Sequence, residues 1–447
     1  MDSRHIVIIG GGHAGLSAAE NIRKINSKAK ISVISGESHL PYRRPEISFI
    51  IKQDYTSSKP LRTYPRSLLQ SLRIEFFNDC KAVKIHANRK SVTVQDLNKE
   101  RKREINYDCL ILTLGGIPAK PPIPGVTKRG VFTFRNFDDA AHINTWARSS
   151  KNVIIIGGSL IGLKLAEIFI RKGKKVTILE RFDLVSSLID LDMSLEIQKR
   201  AEEIGIDVRV NTTPDKIGGD VKVEYVKDAK GKIPADIVVL ATGVKPNTDL
   251  AIKSDIGLGK FGIKVNDQMR TTVSNIFAAG DCVDTLDLIT GKYTYMPIGS
   301  FAADQGRIAG INAAGGFANT QGFIRLQNES IFSLELASIG LTPTVATALG
   351  INNSKTIKLA IGDYGFPGSV RRRRFPMIKV VVDPSGRIIG GQILCQKYIG
   401  VYSVWILDAV KSRRTIDELN WERRPIYRSN LDFQLWKAAN HLQNVAE

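Results

Sequence analysis

Two glycine-rich turns, each set between an apolar strand and an amphipathic helix, constrain this chain more than any other feature. The first is "HIVIIGGGHAG", with Gly10, Gly12 and Gly15 in G-x-G-x-x-G spacing. Gly10 permits a tight turn, Gly12 lets the backbone approach a pyrophosphate, and Gly15 lets the helix pack on the strand. The following helix points its N-terminus at the phosphates. The next strand, "KISVIS", is followed by Glu37, a carboxylate suited to ribose hydroxyls. The second turn repeats the plan with one change. "NVIIIGGSLIG" carries Gly157, Ser159 and Gly162, and the strand "KVTILE" ends in Glu180. Ser159 replaces the middle glycine, so pyrophosphate approach is expected to be tighter. A carboxylate at Glu180 repels a 2′-phosphate and favours NADH over NADPH, a preference softened by Arg181.

These two βαβ units predict an α/β chain with two Rossmann-like dinucleotide-binding domains. With 447 residues there is room for a third. "PAKPPIPG" (118–125) and "ADIVVLATGVKPN" (235–247) read as domain crossings. From about residue 325 the nucleotide motifs stop, and runs such as "MIKVVVD" and "IIGGQIL" predict an α+β domain. The expected boundaries are 1–120 with 247–324, 121–246, and 325–447.

Four cysteines, Cys80, Cys109, Cys282 and Cys395, are scattered without C-x-x-C or metal-ligand spacing. That argues for a reducing compartment and against a structural zinc site. An apolar strand beginning at residue 5 leaves no room for a targeting peptide, and no long uncharged apolar run reads as a membrane span. A cytoplasmic location is therefore expected. Net charge is +20, unevenly spread: residues 1–135 hold 24 Lys/Arg against 11 Asp/Glu. Such an excess suits an acidic protein, anionic lipid or nucleic acid. Nucleic acid is the weakest of these, because no aromatic stacking pattern accompanies the arginine run 371–374.

At this point the chain resembles the FAD-dependent pyridine nucleotide-disulfide oxidoreductases. "GIKVNDQMRTTVSNIFAAGDCVD" (262–284) is similar to the second flavin motif of that family, whose aspartate, here Asp281, holds the ribityl chain. The resemblance implies an FAD domain, an inserted NAD(P)-binding domain and a C-terminal domain through which the chain forms a homodimer. It also marks Arg44, Val83, Gly115 and Gly243 as cofactor contacts.

The pattern breaks at "LPYRRPEISFI" (40–50). Disulfide-reducing members carry a redox cysteine here; this chain has none before Cys80. The stretch instead resembles the P-Y-x-R-P-x-L-S-K signature of cysteine-free reductases that feed ferredoxins and rubredoxins. Tyrosines that stand over the cysteine in the coenzyme A-disulfide reductase branch fall, by alignment, at Phe366 and Arg423. Where family members read G-Y-I-G-L-E, this chain has Leu160 and Lys164. The lysine that pairs with that glutamate is replaced by Phe49. The resemblance thus implies one cation, Lys164, delivered beside the flavin from the opposite domain, and names Lys164, Phe49 and Arg44 as the catalytic candidates.

The expected activity is transfer of hydride from NADH to FAD, and of electrons from FAD directly to an acceptor, without a redox disulfide. An acidic iron–sulfur carrier, a quinone and dioxygen are the acceptors considered. Arg43, Arg44, Lys52, Lys59, Arg62 and Arg66 would steer an acidic carrier if they rim the flavin. Two other readings stand beside this one: an FAD-containing binding protein with a basic surface, and a thiol reductase using a relocated cysteine.

Overall fold

The computed structural model describes residues 3–53, 55, 57–360, 376–397 and 399–421. Phe366, Arg423 and the arginine run 371–374 lie outside the described residues. The chain divides into two compact units. One comprises Met1–Pro122, Gly130–Ser150 and Thr242–Phe323; the other comprises Ile123–Arg129, Lys151–Ala241 and Ile324–Glu447.

The first unit is built on a five-stranded sheet. Its order is Ile276–Ala278, Cys109–Leu112, His5–Ile9, Lys30–Ile34, Ile74–Phe77. All four pairings are parallel. A parallel sheet is covered on both faces, so its strands are continuous apolar runs: Ile6, Val7, Ile8, Ile31, Val33, Leu110, Ile111 and Leu112 are completely buried. Helix His13–Ile25 packs on helix Gly299–Ala313 at glycine contacts. A Cβ on Gly306 would strike the Ala14 carbonyl oxygen. Between the third and fourth strands in sequence lies a three-stranded antiparallel sheet, Cys80–His86, Ser91–Asp96 and Lys102–Asn106. Two short strands, Gly116–Pro118 and Val244–Pro246, pair antiparallel where the chain leaves and re-enters this unit.

In the second unit, Asn152–Ile156 pairs in parallel with Lys175–Leu179 on one side and Ile237–Leu240 on the other. Lys175–Leu179 pairs in turn with Asp207–Arg209. The C-terminal part is a five-stranded antiparallel sheet, in the order Leu326–Ile331, Leu334–Gly340, Ile388–Cys395, Met377–Val382, Lys355–Ala360. Helix Ile399–Lys411 covers the central strands. An ion cluster around the buried Lys379 ties this sheet to the start of helix Leu191–Glu203. Lys379 Nζ lies 2.8 Å from Asp190 and 2.6 Å from Asp192, and Gln392 exchanges two hydrogen bonds with Asp190. Residues 130–150 group by contact with the first unit, and the C-terminal sheet groups with the second nucleotide-type sheet. No helix among the described residues is long and apolar enough to cross a membrane.

Candidate active site

The first glycine turn closes as its spacing requires. Gly10 has φ +116°, and a Cβ there would collide with the Thr113 carbonyl oxygen; one on Gly15 would collide with the Gly10 carbonyl oxygen. Thr113 secures the turn from the neighbouring strand end, its one hydroxyl proton shared between the Ile9 and Gly10 carbonyls, 3.0 and 2.9 Å away. Gly12 differs in kind. It is the N-cap of helix His13–Ile25 with no side-chain cap, and nothing lies within 4 Å of where its Cβ would be. The open space at Gly12, beside uncapped helix N–H groups, fits a pyrophosphate.

Glu37 is held at the end of its strand by two partners. Its carboxylate accepts from Arg44 Nη2 at 2.6 Å and from the Tyr42 hydroxyl at 2.6 Å. Tyr42 Oη also accepts from the Phe137 amide at 2.9 Å. Burial alone would lower the Arg44 pKa, but the Glu37 carboxylate and Tyr42 outweigh it and raise it. Burial, with the Glu37 charge beside it, pushes the Tyr42 phenol well above its ordinary value.

Asp281 follows strand Ile276–Ala278 and accepts a 2.6 Å charge-assisted bond from Arg135 Nη2. Arg135 is fixed in turn by its amide, which donates to Asp139 at 2.8 Å. Gly115 has φ +69°, and its Cβ direction points toward that guanidinium. The buried Tyr295 hydroxyl, close to Gly116, has no hydrogen-bond partner among the described residues. Val83 stands at a register shift in strand Cys80–His86, which frees its backbone from the ladder. Gly243, at φ +95°, faces open space, and its carbonyl accepts from the Ala119 amide. Phe49 lies half-exposed on the short helix Ser48–Lys52, with Lys52 Nζ 5.3 Å from its ring centroid.

His13 was not singled out by sequence, although it stands inside the first glycine motif. Burial, then the positive charge of Arg44, lowers its pKa from 6.5; Asp281 opposes them. Arg135 was also missed, since it stands in "TFRNFDD" without a spacing signal. His13 was legible in principle, as a titratable group inside the motif.

In the second unit Gly157 has φ +114°, and a Cβ on Gly162 would strike the Gly157 carbonyl oxygen. Ser159 is the N-cap of helix Leu160–Arg171. Its hydroxyl donates to Ala241 at 2.9 Å and accepts from Gly162 at 3.4 Å. The serine thus caps the helix it opens. Glu180 accepts from the Gly158 amide at 2.5 Å and the Phe182 amide at 2.8 Å, which sets its carboxylate against the turn. Arg181 stacks on Phe182, 4.5 Å from the ring centroid. The Lys164 ammonium forms a 2.8 Å ion pair with Glu329, on strand Leu326–Ile331 of the same unit. One turn further along the helix, Glu167 accepts from the Phe332 amide at 3.1 Å. Glu329 had no signal in the sequence, because it is brought to Lys164 by the C-terminal sheet.

All four cysteines are free. Burial pushes the Cys282 thiol to about 12, and the Cys395 thiol to about 12 with help from Glu335. Burial also raises Cys80 and Cys109.

The family model for pyridine nucleotide-disulphide oxidoreductases matches residues 4–306. The chain belongs to this family. This oxidoreductase is 33% identical over 398 residues to an NADH oxidase from Methanocaldococcus jannaschii, covering 87% of each chain. It is 29% identical over 396 residues to an NAD(P)H coenzyme A polysulfide/persulfide reductase from Pyrococcus horikoshii, covering 88% and 87%. An NAD-dependent persulfide reductase from A. fulgidus superposes with a TM-score of 0.89 at 30% identity, over 99% of this chain and 83% of that one. The oxidoreductase is an enzyme that uses FAD and NAD(P)H. The open cradle at Gly12 and the donor and acceptor set of Arg44, Glu37 and Asp281 fit FAD in the first unit. The Gly157–Gly162 turn with Glu180 fits the pyridine nucleotide in the second.

Proposed function

We propose that the enzyme oxidises NADH and delivers the electrons from FAD directly to its acceptor, with no cysteine in the path. The observation that supports this most is the state of the thiols. A relay cysteine must form a thiolate within reach of the flavin. The 40–50 stretch contains none, and Cys282, the neighbour of Asp281, is completely buried with its thiol pushed to about 12. A buried, protonated thiol is a poor nucleophile, so the relocated-cysteine reading has the least support.

Bound FAD supplies the two-electron acceptance and the release to the acceptor. The chain's own residues hold it. Gly12 and the first helix take the pyrophosphate, Glu37 takes the ribose under the hold of Arg44 and Tyr42, and Asp281 with Arg135 takes the ribityl chain. His13 is a titratable group beside this cluster; burial and the Arg44 charge lower its pKa, which favours the neutral imidazole at neutral pH. In the second unit Glu180 selects NADH by its charge. Lys164, neutralised by Glu329, acts as a positioning residue that joins the nucleotide helix to the C-terminal sheet.

The C-terminal domain, 325–447, is the expected homodimer surface, in a cytoplasmic enzyme. Dioxygen is the acceptor favoured by the likeness to an NADH oxidase, with a quinone or an acidic iron–sulfur carrier as the others. Stopped-flow mixing tests the assignment. NADH should reduce the flavin faster than NADPH, and reoxidation by air, a soluble quinone and a ferredoxin then ranks the acceptors. Flavin that stays oxidised under excess NADH would instead support the binding-protein reading.

A further inference from the structure

The antiparallel sheet Cys80–His86, Ser91–Asp96, Lys102–Asn106 takes no part in the chemistry above except at Val83. Residues 80–106 hold eight Lys/Arg against three Asp/Glu. The fold collects much of this charge on one surface. Ala82, Ile85, Val92 and Val94 are buried in the core of the first unit, which fixes the other face outward. Lys81, Gln95 and Lys102 stand opposite one another across the three strands. Lys84 is three residues from Lys81, an odd spacing that would ordinarily send it to the opposite face. The register shift between Ala82 and Lys84 restores it to the solvent side. Lys81, Lys84 and Lys102 are all exposed. Lys90 extends the charge at one turn of the sheet, and Lys99 and Arg101 at the other. Among the described residues none of these six cations forms an ion pair. Of the acids here, Glu104, opposite Thr93, lies against Arg89 and His86, and Glu100 is exposed between Lys99 and Arg101.

The tip of the second hairpin adds a different observation. Leu97 is 43% exposed in a tip that carries Asp96 and Glu100 as well as Lys99 and Arg101, with Asp96 occupied by the Asn98 and Lys99 amides. An apolar side chain at a loop tip beside the lysine face suits a lipid headgroup layer, where the leucine enters the interface and the lysines of the face meet anionic headgroups. Nucleic acid fits less well. The face offers lysines without an aromatic stacking platform, and the exposed leucine has no use there.

We propose that this sheet face is a peripheral docking surface for anionic membrane lipid, with Leu97 at its leading edge. Lysine-rich surfaces of this kind bind electrostatically, by about tenfold or less per cation, and release in high salt.

Flotation of the FAD-loaded enzyme tests this. The vesicles are phosphatidylcholine alone, or phosphatidylcholine with phosphatidylglycerol. Binding is expected to the anionic vesicles at low salt and to be lost at about 0.5 M salt. The triple variant Lys81→Glu, Lys84→Glu, Lys102→Glu should bind about a hundredfold more weakly or less still, with FAD content confirming its fold. Reversal of three exposed lysines on the second unit's small sheet, Lys216, Lys227 and Lys230, should cost far less. Leu97→Ser should weaken vesicle binding and leave any binding to a DNA duplex unchanged. Equal binding by the two triple variants, equal binding to neutral vesicles, or tighter binding to the duplex through the same three lysines would each overturn the proposal. The assay needs no electron acceptor, so its outcome is separate from that of the redox reading.

Discussion

Lys164 Nζ and a Glu329 carboxylate oxygen stand 2.8 Å apart, joining the nucleotide helix of the second unit to the first strand of its C-terminal sheet. From sequence, Lys164 is an acid turned into a base, a cation free to act beside the flavin. In the structure its charge is answered within its own unit. The neighbouring Glu167–Phe332 bond reinforces the same junction.

The pair makes a direct prediction. Lys164→Glu and Glu329→Lys should each lower stability by about 1 kcal/mol, since both side chains are partly solvated. The exchanged double variant should recover most of that loss, because residues in contact are not additive. Chemical denaturation of the four proteins measures it. Additive losses would mean that the two charges act separately.

The glycines separate folding from cofactor binding. Gly15→Ala places a methyl against the Gly10 carbonyl and should cost about 3 kcal/mol even in the apoprotein. Gly12→Ala meets nothing within 4 Å, so the apoprotein should melt as wild type. Its methyl occupies space assigned to the pyrophosphate, and FAD should bind about tenfold or more weakly. Apoprotein melting and FAD fluorescence titration read the two effects. An unchanged FAD affinity in Gly12→Ala would move the pyrophosphate elsewhere.

Arg135 was assigned by geometry alone. Arg135→Met removes the 2.6 Å partner of Asp281 and should weaken FAD retention about tenfold to a hundredfold, the scale of a hydrogen bond to a charged group. Asp281→Ala should act in the same direction. If Arg135→Met retains flavin as wild type through gel filtration, the pair is structural only.

Much of the fold was legible because its determinants are local. Gly10, Gly15 and Gly162 sit where carbonyl oxygens leave no space for a Cβ, Gly157 has a positive φ, and the sequence spacing reports that directly. Ser159 was read as a constraint on the pyrophosphate and proves to be a helix cap, a role its position permits but does not announce. Arg135 and Glu329 were invisible because their partners, Asp281 and Lys164, are 146 and 165 residues away. Long-range charge pairs leave no periodicity to read. His13 was overlooked because the motif around it drew attention only to its glycines.

His13 gives a pH signature. Its folded pKa lies below the ordinary 6.5, so at higher pH it is neutral in both states and contributes nothing to the slope. As pH falls through 6.5 the unfolded chain binds the proton first. Stability therefore drops with falling pH in that window, and levels again below the folded pKa. His13→Asn should flatten this part of the profile by up to one proton. Denaturation across the acid side of neutrality tests it, and an unchanged slope would mean that His13 titrates normally.

The most direct test of the central claim is anaerobic titration of the variant with all four cysteines changed to serine. With FAD bound, NADH should bleach the flavin absorbance with a stoichiometry near one per flavin and at a rate close to wild type. Admission of the acceptor should then restore the colour. Retained FAD that bleaches with NADH but stays reduced when the acceptor is admitted, in a variant whose wild-type parent does reoxidise, would contradict the claim and place a thiol in the electron path.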